Sequence, residues 1–146
     1  MKIYVINGPN LNMLGIREPK VYGNATYTDL INMISEYANK KGVDVVFFQS
    51  NHEGALVDKM QEAYFEKADG IIINPGAYTH TSIALLDAAK AISLPIVEVH
   101  ISNPNEREDF RHTSYIRLAA AKTICGYGFE GYIKALNFLI HEGTDD

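Results

Sequence analysis

An α/β fold with a doubly wound, five-stranded parallel sheet is predicted by two observations. Short apolar, β-branched runs recur along the chain, and helical patterns of apolar residues fill the intervals between them. The runs are Ile3–Ile6, Val43–Phe48, Ile71–Ile73, Ile96–Val99 and Thr123–Cys125. Continuous apolar character over a few residues suits strands covered by helices on both faces, as in a parallel sheet. At 146 residues the chain is expected to form one domain, residues 1–146, large enough to bury a full core without covalent staples.

Each element has its own signal. After the first run, Asn7–Gly23 is rich in Gly, Pro and Asn and continues neither strand nor helix. So long a connection is uncommon in a compact domain and is usually a functional lid or disordered. Leu11, Met13, Leu14, Ile16 and Val21 give it apolar contacts of its own, so a lid is expected. Leu30, Ile31, Ile34, Tyr37 and Ala38 then recur at helical spacing. After the second run, Ser50-Asn-His-Glu53 reads as a capping box for a helix carrying Leu56, Met60, Ala63 and Tyr64. Ile83, Leu86 and the Ala-rich turn to Ala91 form the third helix. The fourth crossover is the weakest, with a short helix expected over Ser114–Ala121. Ile133, Leu136, Leu139 and Ile140 stripe the last helix. Right-handed crossovers place helices on both faces, giving a three-layer α/β/α sandwich with flavodoxin-like strand order.

Composition excludes several classes. The formal charge of −5, with Lys and Arg scattered, disfavours nucleic acid or an anionic membrane as partner. One or two local Arg could still accommodate a small anion. Cys125 lies in an apolar run and reads as an inert thiol. No apolar stretch approaches membrane-spanning length, and a cytoplasmic protein is expected.

In open parallel sheets, ligands bind beyond the carboxyl ends of the strands. Read there, the chain offers Asn7, Asn10 and Arg17–Tyr22, then Asn74 to Ser82, then Glu98 to Asn103 with Arg107 and Arg111. Glu98 and His100, two apart on a strand, point to one face. A carboxylate beside an imidazole fixes its tautomer and orientation, as a general acid or base requires. Arg17 and Tyr22 are a second constellation. A phenol titrates near ~10, and a guanidinium in a water-poor site could bring it into use as a base. Spacing alone leaves open a Tyr22 ring packed under the loop with Arg17 paired to Glu18. His80 lies at a helix start, where N–H groups favour an anion or an oxygen-rich ligand, or simply a cap. Asp87, alone in its helix, reads as a surface carboxylate.

Three familiar signatures do not fit. Gly126-Tyr-Gly128-Phe-Glu-Gly131 matches a dinucleotide fingerprint by letter, but no further βαβ element or ribose-binding acid follows it. Its glycines read as allowing a tight turn and close helix packing. The His residues lack metal-ligand spacing, and no nucleophile elbow or Walker loop is present. Acid–base chemistry with no cofactor is expected.

The segments Ile6-Asn-Gly-Pro-Asn-Leu-Asn-Met-Leu-Gly15, Arg17-Glu-Pro-Lys-Val-Tyr-Gly23, Gln49-Ser-Asn-His-Glu-Gly54, Ile73-Asn-Pro-Gly-Ala-Tyr-Thr-His-Thr-Ser82, Glu98-Val-His-Ile-Ser-Asn103 and Arg107-Glu-Asp-Phe-Arg111 occur in this order. Together they resemble the type II 3-dehydroquinate dehydratases, from Lys2 to Ile140. The resemblance implies a lyase converting 3-dehydroquinate to 3-dehydroshikimate by anti elimination through an enolate. It implies Tyr22 as base, Arg17 as the group depressing its pKa, and Asn10 as holder of a water at the enolate oxygen. His100, oriented by Glu98, would be the acid at the departing hydroxyl. Asn74 with the backbone of Ile101 and Ser102 would take the carboxylate, and His80 and Arg111 the ring hydroxyls. Asp87 would reach a neighbouring subunit's site within a homododecamer, a tetramer of trimers. Ala55 and Pro104-Asn-Glu106 depart from the commoner family pattern without removing a catalytic role. A non-catalytic flavodoxin-like module for a phosphate or nucleotide is the alternative, and it would not need a lid facing Glu98 and His100.

Overall fold

Five parallel strands lie in the order β2-β1-β3-β4-β5. They are β1 (Lys2–Asn7), β2 (Asp44–Gln49), β3 (Gly70–Asn74), β4 (Ile96–His100) and β5 (Lys122–Cys125). The structure is a computed structural model that describes residues 1–16, 20 and 23–141. Arg17 and Tyr22 therefore lie outside the described residues. Among the described residues, the α-helices are α1 (Tyr27–Lys41), α2 (Glu53–Phe65), α3 (Ile83–Ala91) and α4 (Glu130–His141).

Strand alternation divides the core. Ile3 and Val5 of β1 face α1 and α4, in a cluster with Leu30, Ile34, Ile72, Val97, Tyr132 and Leu136. Tyr4 and Ile6 face the other way, toward α2 and α3, with Leu56, Met60, Ile71, Ile73, Leu85 and Ile116. Both faces of β1, β3 and β4 are thus buried, as their continuous apolar runs predict. Edge strand β2 is only partly buried.

Local chemistry sets the helix ends. Thr26 and Asp29 form a reciprocal capping box at the start of α1, and Gly42 closes it in the left-handed region at φ 69°. Ser82 caps α3 by accepting the Leu85 N–H at 3.0 Å, a contribution of about 1 kcal/mol. The capping box expected at Ser50 does not form. The N-cap of α2 is His52, without a side-chain cap, and the Ser50 hydroxyl accepts the His52 N–H at 3.0 Å instead. The fourth crossover contains a 3-10 helix at Ile116–Ala119 rather than an α-helix. Two further 3-10 helices, Pro104–Glu106 and Asp109–Arg111, precede it in the same crossover, and Ile116 is the one residue of Ile116–Ala119 that is buried.

Gly131 permits the close helix packing expected of its motif. A Cβ there would stand 3.3 Å from the Val99 side chain, so glycine lets α4 approach β4 closely. Among the described residues no helix is long and apolar enough to cross a membrane.

Candidate active site

The strand register decides which polar groups meet. Asn7 and Asn74 are register partners at the ends of β1 and β3. The loops that follow interlock: the Gly8 N–H donates to the Asn74 carbonyl at 2.8 Å. A Cβ on Gly8 would fall 2.3 Å from the Pro75 carbonyl oxygen, so only glycine fits this crossing. Beyond it, Asn10 adopts φ 68° at the start of a 3-10 helix, Leu11–Met13. Its N–H donates to Asn51 Oδ1 at 3.0 Å, and Gln49 Nε2 donates to the Gly8 carbonyl at 3.1 Å. The segment after β2 therefore braces the loop that carries Asn10.

Glu98 and His100 point to the α2–α3 face of β4. Glu98 is fully buried, and its Oε2 accepts from His100 Nε2 at 2.5 Å and from Ser114 Oγ at 2.7 Å. Its Oε1 accepts from Arg117 Nε at 3.3 Å and Thr123 Oγ1 at 3.1 Å. Ser114 and Arg117 come from the fourth crossover, and Thr123 is the register partner of Glu98 on β5. Four donors thus surround one carboxylate. Burial pushes the carboxyl pKa up, but the hydrogen bond and charge of His100, with Ser114 and Arg117, outweigh it and hold it at about 2. An ionised carboxylate only accepts, so Nε2 of His100 carries the proton shared with Glu98. Nδ1 is left for other chemistry.

His100 belongs to the wall of a cavity of about 160 Å³. Asn10, Asn74, His80, Ile101, Ser102 and Arg111 line the same cavity, so the structure brings together most of the residues singled out in the sequence. His80 ends a 3-10 helix, Gly76–His80, and its Nδ1 lies 2.7 Å from the Thr113 carbonyl. A carbonyl only accepts, so Nδ1 donates. Burial, with His100 and Arg111 nearby, lowers the His80 pKa despite that bond. The neutral ring then offers an Nε2 lone pair, suited to a hydroxyl donor. Arg111 is held by Glu108, Nε to Oε2 2.7 Å, and Arg107 also lines the cavity. Two guanidinium groups make this pocket suitable for an anion although the whole chain is acidic.

Asp87 is exposed on α3 and does not line the cavity of its own chain. Pro104, from the departing Pro104–Glu106 segment, does line it. Cys125 is half-buried, and burial pushes its thiol pKa up, in keeping with an inert thiol. The Glu98 partners Ser114, Arg117 and Thr123 were not singled out from sequence. Only Thr123, on a strand predicted to neighbour Ile96–Val99, carried a usable signal.

Comparison with known proteins gives one family. The sequence profile described as Dehydroquinase class II matches residues 1–140. A 3-dehydroquinate dehydratase of Caldicellulosiruptor bescii is 57% identical over 135 residues, covering 92% of this chain and 93% of that one. The crystal structure of a type II dehydroquinase from Butyrivibrio crossotus superposes with a TM-score of 0.95 at 57% identity, covering 96% of this chain and 97% of that one. The type II dehydroquinase from Propionibacterium acnes gives a TM-score of 0.91 at 40% identity, with 94% of each chain covered.

Proposed function

Because the chain belongs to the class II dehydroquinase family, we propose that it dehydrates 3-dehydroquinate to 3-dehydroshikimate without a cofactor. The observation that carries this reading is the His100 imidazole, held at the cavity wall by a carboxylate whose acceptor sites are all taken.

The substrate carboxylate lies against the Asn74 amide and the backbone of Ile101 and Ser102, under the field of the nearby guanidinium groups. His80 accepts from a ring hydroxyl through Nε2, and Arg111 donates to another. Tyr22, its pKa depressed by Arg17, takes the proton from the carbon beside the ketone. The electron pair moves onto the ketone oxygen, and a water held by Asn10 stabilises the resulting enolate. Collapse of the enolate expels the tertiary hydroxyl, which takes a proton from Nδ1 of His100. Glu98 stabilises the imidazolium before transfer and keeps the ring aligned after it. One water leaves and a conjugated enone remains. The proton on Tyr22 then returns through solvent to His100, restoring both groups.

Asp87 contributes to a neighbouring subunit's site in a homododecamer of four trimers. Its exposure on α3 supports this, as do Ile83 and Leu118, 55% and 73% exposed on elements packed together. The protein acts in the cytoplasm as one domain. The test is ultraviolet absorbance after mixing folded protein with 3-dehydroquinate. Growth of the enone band supports the reading, and no signal at high protein concentration removes it.

A further inference from the structure

The α4 helix lies outside the loops that form the cavity wall, yet its Tyr132 is wired to Asn74. Tyr132 is fully buried and donates its O–H to Asn7 Oδ1 at 2.6 Å. The Tyr132 hydroxyl oxygen in turn accepts from Asn74 Nδ2 at 3.2 Å. Asn74 Oδ1 accepts the Gly76 N–H at 3.1 Å, and Asn7 Nδ2 reaches the Tyr27 hydroxyl at 3.5 Å. One backbone donor fixes the polarity of the whole chain. Gly76 N–H can only donate, so Asn74 must present its oxygen there and its NH2 to Tyr132. Tyr132 must then turn its own proton to Asn7. A flipped Asn74 would set its NH2 against the Gly76 N–H and put its oxygen where the NH2 now meets Tyr132, leaving no amide donor there. Burial pushes the Tyr132 pKa strongly up, so the phenol stays protonated and the polarity does not change with pH.

We infer that Tyr132 is a positioning residue for substrate binding: aligned by Asn7, it holds the Asn74 amide with one N–H directed to the substrate carboxylate. The inference rests on the proposed placement of that carboxylate at Asn74. It makes α4 part of the binding site through one oxygen atom. It also ties the site to Tyr27, the first residue of α1, the helix that follows the Arg17–Tyr22 segment.

The test is a cycle of Tyr132→Phe, Asn74→Ala and the double variant, with KM and kcat for 3-dehydroquinate measured well below each variant's unfolding temperature. Tyr132→Phe should raise KM about 10-fold with kcat changed far less, the size expected for misdirecting one hydrogen bond to a charged group. The double variant should be no worse in KM than Asn74→Ala alone, because Tyr132 acts only through that amide. An unchanged KM in folded Tyr132→Phe, or losses that simply add, would overturn the inference. An Asn74→Ala variant with unchanged KM would instead overturn the carboxylate placement beneath it. Should Tyr132→Phe not fold, Asn7→Ala removes the acceptor that aligns the phenol. It must then raise KM in the same way, and a normal KM would reject the inference.

Discussion

Glu98 Oε2 sits 2.5 Å from His100 Nε2, and the carboxylate has no acceptor site left for any other purpose. The carboxylate can orient the imidazole and stabilise its charge, but it has no free oxygen with which to act on substrate. In the proposed mechanism His100 is therefore the group that meets the substrate, with Glu98 behind it.

Glu98→Gln tests that division. A carboxamide must point its NH2 at an N–H and a hydroxyl whichever way it turns; the hydroxyl can turn to accept, so the N–H of His100 or of Arg117 is the group that loses its partner, at about 1–3 kcal/mol when it is the buried imidazole. Thermal unfolding should shift down, and kcat should fall by ~100-fold or more, within the range for a misplaced general acid. KM should change little, because Glu98 makes no contact with substrate.

The same carboxylate sets an acid limit to stability. Its pKa in the folded protein is about 2, against an ordinary ~4.3. A group depressed in the folded state contributes stability that is complete above its unfolded value and lost as pH falls toward the folded one. Between about pH 4 and about pH 2 the wild type should therefore lose about 2 kcal/mol more than Glu98→Gln. Urea unfolding across that window measures it, and a constant gap between the two proteins would refute the assignment.

His80 should be neutral near pH 7 with its proton on Nδ1, since that atom donates to Thr113. Long-range nitrogen–proton NMR distinguishes the tautomers. An Nε2–H signal would remove His80 as acceptor of a substrate hydroxyl.

Gly8→Ala places a methyl group 2.3 Å from the Pro75 carbonyl oxygen, where backbone must move. A loss of about 1–3 kcal/mol in stability is expected, as for overpacking elsewhere. Because the displaced loops carry Asn10 and Asn74, KM should rise as well. Calorimetry and steady-state kinetics on one preparation check both.

Tyr22→Phe should lower turnover by ~1000-fold or more while a ring carboxylic acid inhibitor still binds, since only the base is lost. Arg17→Ala should move the acidic limb of the activity profile to higher pH, because removing a cation beside the phenol raises the pH at which the base becomes deprotonated. A limb that stays in place would show that Arg17 does not tune Tyr22.

The sheet was legible because its central strands are apolar on both faces, and the Glu98–His100 pair because alternation alone puts residues two apart on one face. The partners of that pair were not legible. Ser114 and Arg117 reach Glu98 only because the fourth crossover folds back over it, and that crossover had the weakest periodicity in the chain. Ser50 looked like a cap by spacing, but the backbone turns before the helix begins and spends the hydroxyl on His52. The roles of Asn74 and Asp87 came from resemblance. Nothing in their immediate sequence separates an oriented amide or a shared carboxylate from ordinary polar residues. Tyr132 carried no signal beyond its place in an amphipathic helix.

In the proposed mechanism a base on the Arg17–Tyr22 segment and His100 at the sheet edge act on opposite faces of the substrate ring. This arrangement is tested most directly with two 3-dehydroquinates, each carrying deuterium at one of the two positions on the carbon beside the ketone. Anti elimination is expected: the deuterium opposite the departing hydroxyl is lost to solvent, and the one on its own side is retained in the enone. Loss of the deuterium on the same side as the hydroxyl would contradict it.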